Sequence, residues 1–291
     1  MTTEPTLAAT PTGEPEPTAT PIPPTPVPTP SPTPTLEVIH NVPYVPDGDR
    51  LQCLDIYLPA GDGPFPTILG IHGGGGDKAE LTALARYLAA RGYAVLSINH
   101  RQYPDVTYPI PAQDAFCALA WTVANAETYG FDLQRIVILG HSAGGTLAAL
   151  LGVVDDPAPY LAGCPHPWPE GAVPWAVVTF TGIFDYTDTQ IPGPSLQSYF
   201  ALYLGGALAE IPDVWDAASP STWVDGSEPP FLLIHGADDR SVPPAYSEAF
   251  AATLAAAGVP AQLVIVPNAD HDGITASEDS FEAVVTFLTG R

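Results

Sequence analysis

The residues Ile136-Val137-Ile138-Leu139-Gly140-His141-Ser142-Ala143-Gly144-Gly145 constrain this chain more than any other stretch. Four apolar residues in a row predict a buried strand, and the small residues behind Ser142 predict a helix packed closely on it. Glycine at 140 and 144 lets strand and helix approach. The residue at 142 is then held in a strained turn that presents its side chain above the strand end. A serine in that setting is a candidate nucleophile, and the helix N-terminus beside it favours developing negative charge.

The same alternation recurs along the chain. Extended runs are predicted over residues 36–45, 51–58 and 67–71, separated by Pro/Gly/Asp turns. A helical spacing follows from Glu80 through Leu81, Leu84, Ala85 and Leu88, ended by Arg91-Gly92. Residues 93–98 form a further strand, 112–129 a helix, and 135–139 the strand before Gly140. Beyond the helix expected from Ser142, strands are predicted over 176–180, 231–235 and 262–266, with helices from Ala245 and Ser277. Near-continuous apolar strands alternating with helices define an α/β class, with a mostly parallel sheet covered on both faces and right-handed crossovers. Residues 154–230 are less regular and rich in Pro, Trp and Tyr, and are expected to form a small cap or loop region over the sheet edge.

Two more segments carry chemistry. The strand over 67–71 ends in His72-Gly73-Gly74-Gly75-Gly76, a run able to aim backbone N–H groups into a site. No Gly-Lys-Ser/Thr follows, so an oxyanion hole built from this loop and the N–H of Ala143 fits better than a phosphate loop. Downstream, Ile234-His235-Gly236-Ala237-Asp238-Asp239 ends another strand, and Asn268-Ala269-Asp270-His271-Asp272 follows the next. His271 Nε2 would take the proton of Ser142, and Asp239 would hold the proton on Nδ1. Asp238 is adjacent, and Asp270 and Asp272 flank the histidine; we favour Asp239 as the acid. With no HExxH, CxxC or carboxylate cluster, neither a metal nor another cofactor is expected. His141 reads as the variable position of the turn, and His72 and His235 as rings bonded to loop backbone. No partner is legible for His40, His100 or His166. Asp114 is expected to pair with Arg101, and Asp132 to act as an N-cap near Arg135.

The first 35 residues are dense in proline and threonine and lack aromatic residues and apolar periodicity. They are expected to form a disordered, extended tether, leaving residues 36–291 as one catalytic domain. Eight Lys and Arg against 32 Asp and Glu give a net charge of −24, which disfavours nucleic acid and anionic membranes as partners. No run is long enough to span a bilayer. A tether directly after Met1 suggests an exported protein whose signal or lipid anchor has been replaced, so a secreted or cell-surface location is expected. There Cys117 and Cys164 are candidates to bridge, leaving Cys53 unpaired, although three cysteines allow three single bridges.

Four blocks together resemble the α/β-hydrolases that include bacterial carboxylesterases of the hormone-sensitive-lipase type and related secreted esterases with feruloyl- and acetylxylan-esterase members. They are Leu54-Asp55-Ile56-Tyr57-Leu58-Pro59, His72 to Gly75, residues 112–145 and residues 229–243. The resemblance implies the α/β-hydrolase fold and hydrolysis of short-chain or aromatic carboxylic esters, of acetyl, feruloyl or polyester type, through an acyl-enzyme on Ser142. It also makes Gly74 and Gly75, with Ala143, the implied oxyanion donors. Gly76 stands where many relatives carry a large aromatic residue, and His100-Arg101 where Tyr-Arg is commoner. Two other classes compete. A serine exopeptidase would use the same triad but usually adds a propeller domain, for which this chain has no room; a non-catalytic scaffold would not need the triad candidates.

Overall fold

Eight strands pair into one sheet: β1 (Glu37–Pro43), β2 (Cys53–Leu58), β3 (Phe65–Ile71), β4 (Ala94–Ile98), β5 (Phe131–His141), β6 (Ala176–Phe180), β7 (Phe231–Gly236) and β8 (Ala261–Val266). Their spatial order is β1-β2-β4-β3-β5-β6-β7-β8. The first two pairings are antiparallel and the rest parallel, as expected of strands joined by helical crossovers. The computed structural model describes Met1 and residues 36–169, 174–191 and 193–291. The tether expected over 1–35 lies outside these apart from Met1, as do residues 170–173 and 192 of the expected cap. Residues Pro34–Arg291 form one compact unit, the one described below.

The helices are α1 (Thr82–Ala89), α2 (Ile110–Ala124), α3 (Ala126–Tyr129), α4 (Ala143–Val153), α5 (Pro194–Leu204), α6 (Pro212–Ala218), α7 (Pro220–Trp223), α8 (Ala245–Ala256) and α9 (Glu278–Thr289). The two-residue period of the strands sorts the apolar side chains onto two faces. Ile136 and Ile138 of β5 and Phe231 and Leu233 of β7 pack in one core with Phe116 of α2, Leu147 of α4 and Phe250 of α8. Val137, Leu139, Leu232 and Ile234 point the other way, against Leu84 and Leu88 of α1 and Val284 and Phe287 of α9. Both faces are therefore dry, which is why β5 and β7 read as continuous apolar runs.

Side-chain bonds fix the connections. Asp114 of α2 is almost fully buried and pairs with Arg101 at 2.7 Å, while also accepting from the Arg101 N–H and from Gln52 Nε2. Cys117 is disulfide-bonded to Cys164, and Cys53 is free. Two expectations need correction. The helix expected over 112–129 breaks at Asn125, whose side-chain amide turns back onto Trp121 O, so α2 and α3 are separate. Asp132 caps no helix. It lies in β5, where the pairing shifts register between Pro66 and Thr67, and it accepts from the Gln134 N–H within that irregularity and pairs with Arg135.

In-register parallel strands bring their C-terminal ends to one edge. Ile71 lies beside Gly140, His141 beside Phe180, and Gly236 beside Val266. The segments leaving β3, β5, β7 and β8 thus begin together, at the sheet end where open α/β folds bind ligands.

Candidate active site

Ser142 sits between β5 and α4 with φ 53° and ψ −120°, a conformation that costs a non-glycine residue on the order of 1–3 kcal/mol. The surroundings impose it. The Ser142 N–H donates to Phe180 O at 2.7 Å, and the turn is too tight for side chains on either flanking glycine. A Cβ on Gly140 would run into the carbonyl of Gly144, and one on Gly144 into the carbonyls of Ile71 and His72.

The loop after β8 brings His271 to this serine, with Nε2 2.9 Å from Ser142 Oγ. The loop after β7 brings Asp239, whose Oδ2 lies 2.7 Å from His271 Nδ1. Its other oxygen accepts from the N–H groups of Ser241 and Val242, both at 2.8 Å, and buried His235 approaches Oδ2 at 3.3 Å. Burial works against the charge on Asp239, but these bonds, led by those of His235 and His271, outweigh it and hold the carboxyl well below the usual carboxylate range. Asp238 is exposed, and its backbone N–H donates to Ala269 O. Asp270 accepts from the Gly273 N–H, and Asp272 is exposed.

The glycine loop is less uniform than its sequence. The Gly73 N–H is bonded to the Glu80 carboxylate and the Gly76 N–H to Gly73 O. The Gly75 N–H, expected to face the site, donates instead to Gln102 Oε1 at 2.8 Å, and the same amide donates to Gly76 O. Gln102, on the segment leaving β4, thus bridges Gly75 and Gly76. The Gly74 N–H meets no acceptor among the described residues. As the first residue of α4, Ala143 carries an N–H that the helix itself leaves unpaired. Gly76 also has a local reason to lack a side chain, because a Cβ there would strike Glu80.

Gly74, Ser142, Ala143 and His271 open into a cleft of about 260 Å³ whose far wall is Ile183, Tyr186, Leu196, Tyr199 and Tyr203. Tyr199 and Tyr203 stand one turn apart on α5 with parallel rings 6.4 Å between centroids. Burial raises the hydroxyls of Tyr186 and Tyr203 well above their ordinary range, so the wall stays uncharged. The stretch expected as a cap therefore supplies this wall through α5. Sequence marked its tyrosines without assigning any of them to the site.

The histidines without a legible partner all have one: His40 meets Asp55, His100 meets the carbonyls of Arg101 and His72, and His166 meets Tyr44 O. His141 is also bonded at both ring nitrogens, to Glu80 and to the backbone of His271.

This sheet order, with a serine on a strained turn after β5 and a histidine and an aspartate after later strands, defines an α/β-hydrolase. Within that class the chain belongs to the BD-FAE family, whose model matches residues 54–254. It is 31% identical over 243 residues to Esterase LipQ of Mycobacterium tuberculosis, covering 79% of this chain and 56% of that protein. It is 32% identical over 249 residues to the ethyl acetate hydrolase of Pseudomonas putida, covering 78% and 72%. The chain spans about half the length of the first curated relatives it matches. Among solved structures, a truncated carbohydrate esterase from gut microbiota aligns with TM-score 0.74 and 27% identity over 90% of this chain and 98% of that one. Esterase B from Lactobacillus rhamnosis aligns with TM-score 0.75 and 26% identity, covering 88% and 84%.

Proposed function

We propose that the protein hydrolyses carboxylic esters through an acyl-enzyme on Ser142, with His271 as general base and acid and Asp239 as its partner. The observation that carries this reading is the continuous pair of short contacts, 2.9 Å from Ser142 Oγ to His271 Nε2 and 2.7 Å from His271 Nδ1 to Asp239. Ser142 Oγ attacks the ester carbonyl as His271 Nε2 takes its proton. The oxyanion is received by the N–H groups of Gly74 and Ala143, and the imidazolium then protonates the leaving alkoxide. Water, activated by the same nitrogen, releases the acid.

Short or aromatic acyl groups are the substrates we favour. The cleft volume suits a small ester, and its tyrosine wall offers flat, uncharged faces to an aromatic ring. A butyrate-bound form of an esterase of Thermogutta terrifontis, at TM-score 0.69 and 25% identity, is among the similar structures and supports short acyl groups. We further propose a secreted or cell-surface protein held by its Pro/Thr tether; the Cys117–Cys164 disulfide suits an oxidising compartment.

The test is a panel of short p-nitrophenyl esters, methyl ferulate, acetylated xylan, a soluble terephthalate ester and an aminoacyl anilide. Turnover of short or aromatic esters supports the reading. Turnover of the anilide alone would overturn it in favour of an exopeptidase.

A further inference from the structure

His141 precedes the proposed nucleophile, is only 3% exposed, and meets an acceptor at each ring nitrogen. Nε2 is 2.9 Å from the backbone oxygen of His271. A carbonyl oxygen only accepts, so Nε2 carries a proton. Nδ1 is 2.6 Å from Glu80 Oε1. Burial works against the charge on Glu80, but its bond to His141 outweighs this and holds the carboxyl below its usual range. The Gly73 N–H, 3.2 Å from both Glu80 oxygens, further favours the anion.

No other described histidine is placed this way. His235 faces Val242 O, but its second nitrogen meets the Ser247 hydroxyl, which can donate. His100 faces two carbonyls, one at 3.4 Å, and no carboxylate.

We infer that the Glu80–His141 pair positions the His271 loop against the glycine loop. The links run from the Gly73 N–H to Glu80, to His141, and to the carbonyl of His271. The loops carrying oxyanion donor and base are thereby tied through the residue next to Ser142. Groups of other elements surround the pair. His271 lies 5.0 Å away between ring centroids, with Asp270 and Asp272 beside it and Asp239 behind it. His72, stacked on His100, and Asp77 lie on the glycine loop, and Lys78 is engaged by Asp55. This positioning role rests on the catalytic reading above.

The test is steady-state kinetics of Glu80→Gln and His141→Asn on a short p-nitrophenyl ester beside the wild type, with folding checked by thermal melts of the full chain. Each folded variant should lose about tenfold in kcat with KM changed less than about twofold, because the base is displaced from the serine while the cleft is kept. A folded variant with unchanged kcat, or with its loss on KM instead, overturns the positioning role. Where Glu80→Gln fails to fold, Glu80→Asp, which keeps the carboxylate and shortens its reach, is read for the same split with the same overturning outcome. Fluorophosphonate labelling of the wild type keeps the two readings apart: its absence sinks the Ser142 reading, whereas labelling with unchanged kcat in the variants sinks only the positioning role.

Discussion

Asp239 Oδ2 lies 2.7 Å from His271 Nδ1, while Asp238, one residue earlier, is exposed with its N–H bonded to Ala269 O. Two adjacent aspartates therefore have unequal consequences. Asp239→Asn should lower kcat on a short ester by about 10⁴-fold, because the amide disfavours the tautomer His271 needs. Asp238→Asn should stay within about twofold. Side-by-side kinetics of the two variants checks this, and equal losses would reassign the acid.

A second prediction concerns acid. His72 is buried against His100 under the glycine loop, and burial, with the neighbouring ring second, lowers its pKa from 6.5 to about 4. The unfolded chain thus binds a proton that the native chain refuses between those values. Stability tied to this group is complete above about pH 6.5 and is lost as pH falls toward 4, on the order of 3 kcal/mol in all. Thermal melts from pH 7 to 4 should fall more steeply for the wild type than for His72→Asn.

Gly144→Ala places a methyl group against the carbonyls of Ile71 and His72, with backbone on both sides. Neither can give way without moving β3 or α4. A loss of about 3 kcal/mol or more is expected, read as a shift in urea midpoint.

Removing the Asp114 carboxylate strands a half-buried Arg101 and deprives the Arg101 N–H and Gln52 of their acceptor. Asp114→Ala should cost about 3–5 kcal/mol while leaving Ser142, His271 and Asp239 in place. Denaturation beside kcat of the folded fraction separates the two effects.

The triad candidates were legible because each sits at a strand end with a local signature: Gly-x-Ser-x-Gly after β5, Asp-Asp after β7, His271 after β8. What sequence could not give depends on register between distant segments. Gln102 reaches Gly75 because β4 lies beside β3, and no local pattern marks that contact. Glu80 looked like a helix start and His141 like a variable turn position; their 2.6 Å contact joins residues far apart in the chain, and neither carries a local mark of it. Asp132 shows the opposite failure. An aspartate accepting the N–H two residues on is the same chemistry in a helix cap and in a strand irregularity, so its sequence context did not separate them.

The most direct test of the account is Ser142→Ala assayed beside wild type with a fluorophosphonate probe and a short p-nitrophenyl ester. The account predicts stoichiometric labelling of the wild type, no labelling of the variant, and a fall in kcat of about 10⁴-fold or more with the fold unchanged. Labelling or turnover that survives the substitution would contradict it.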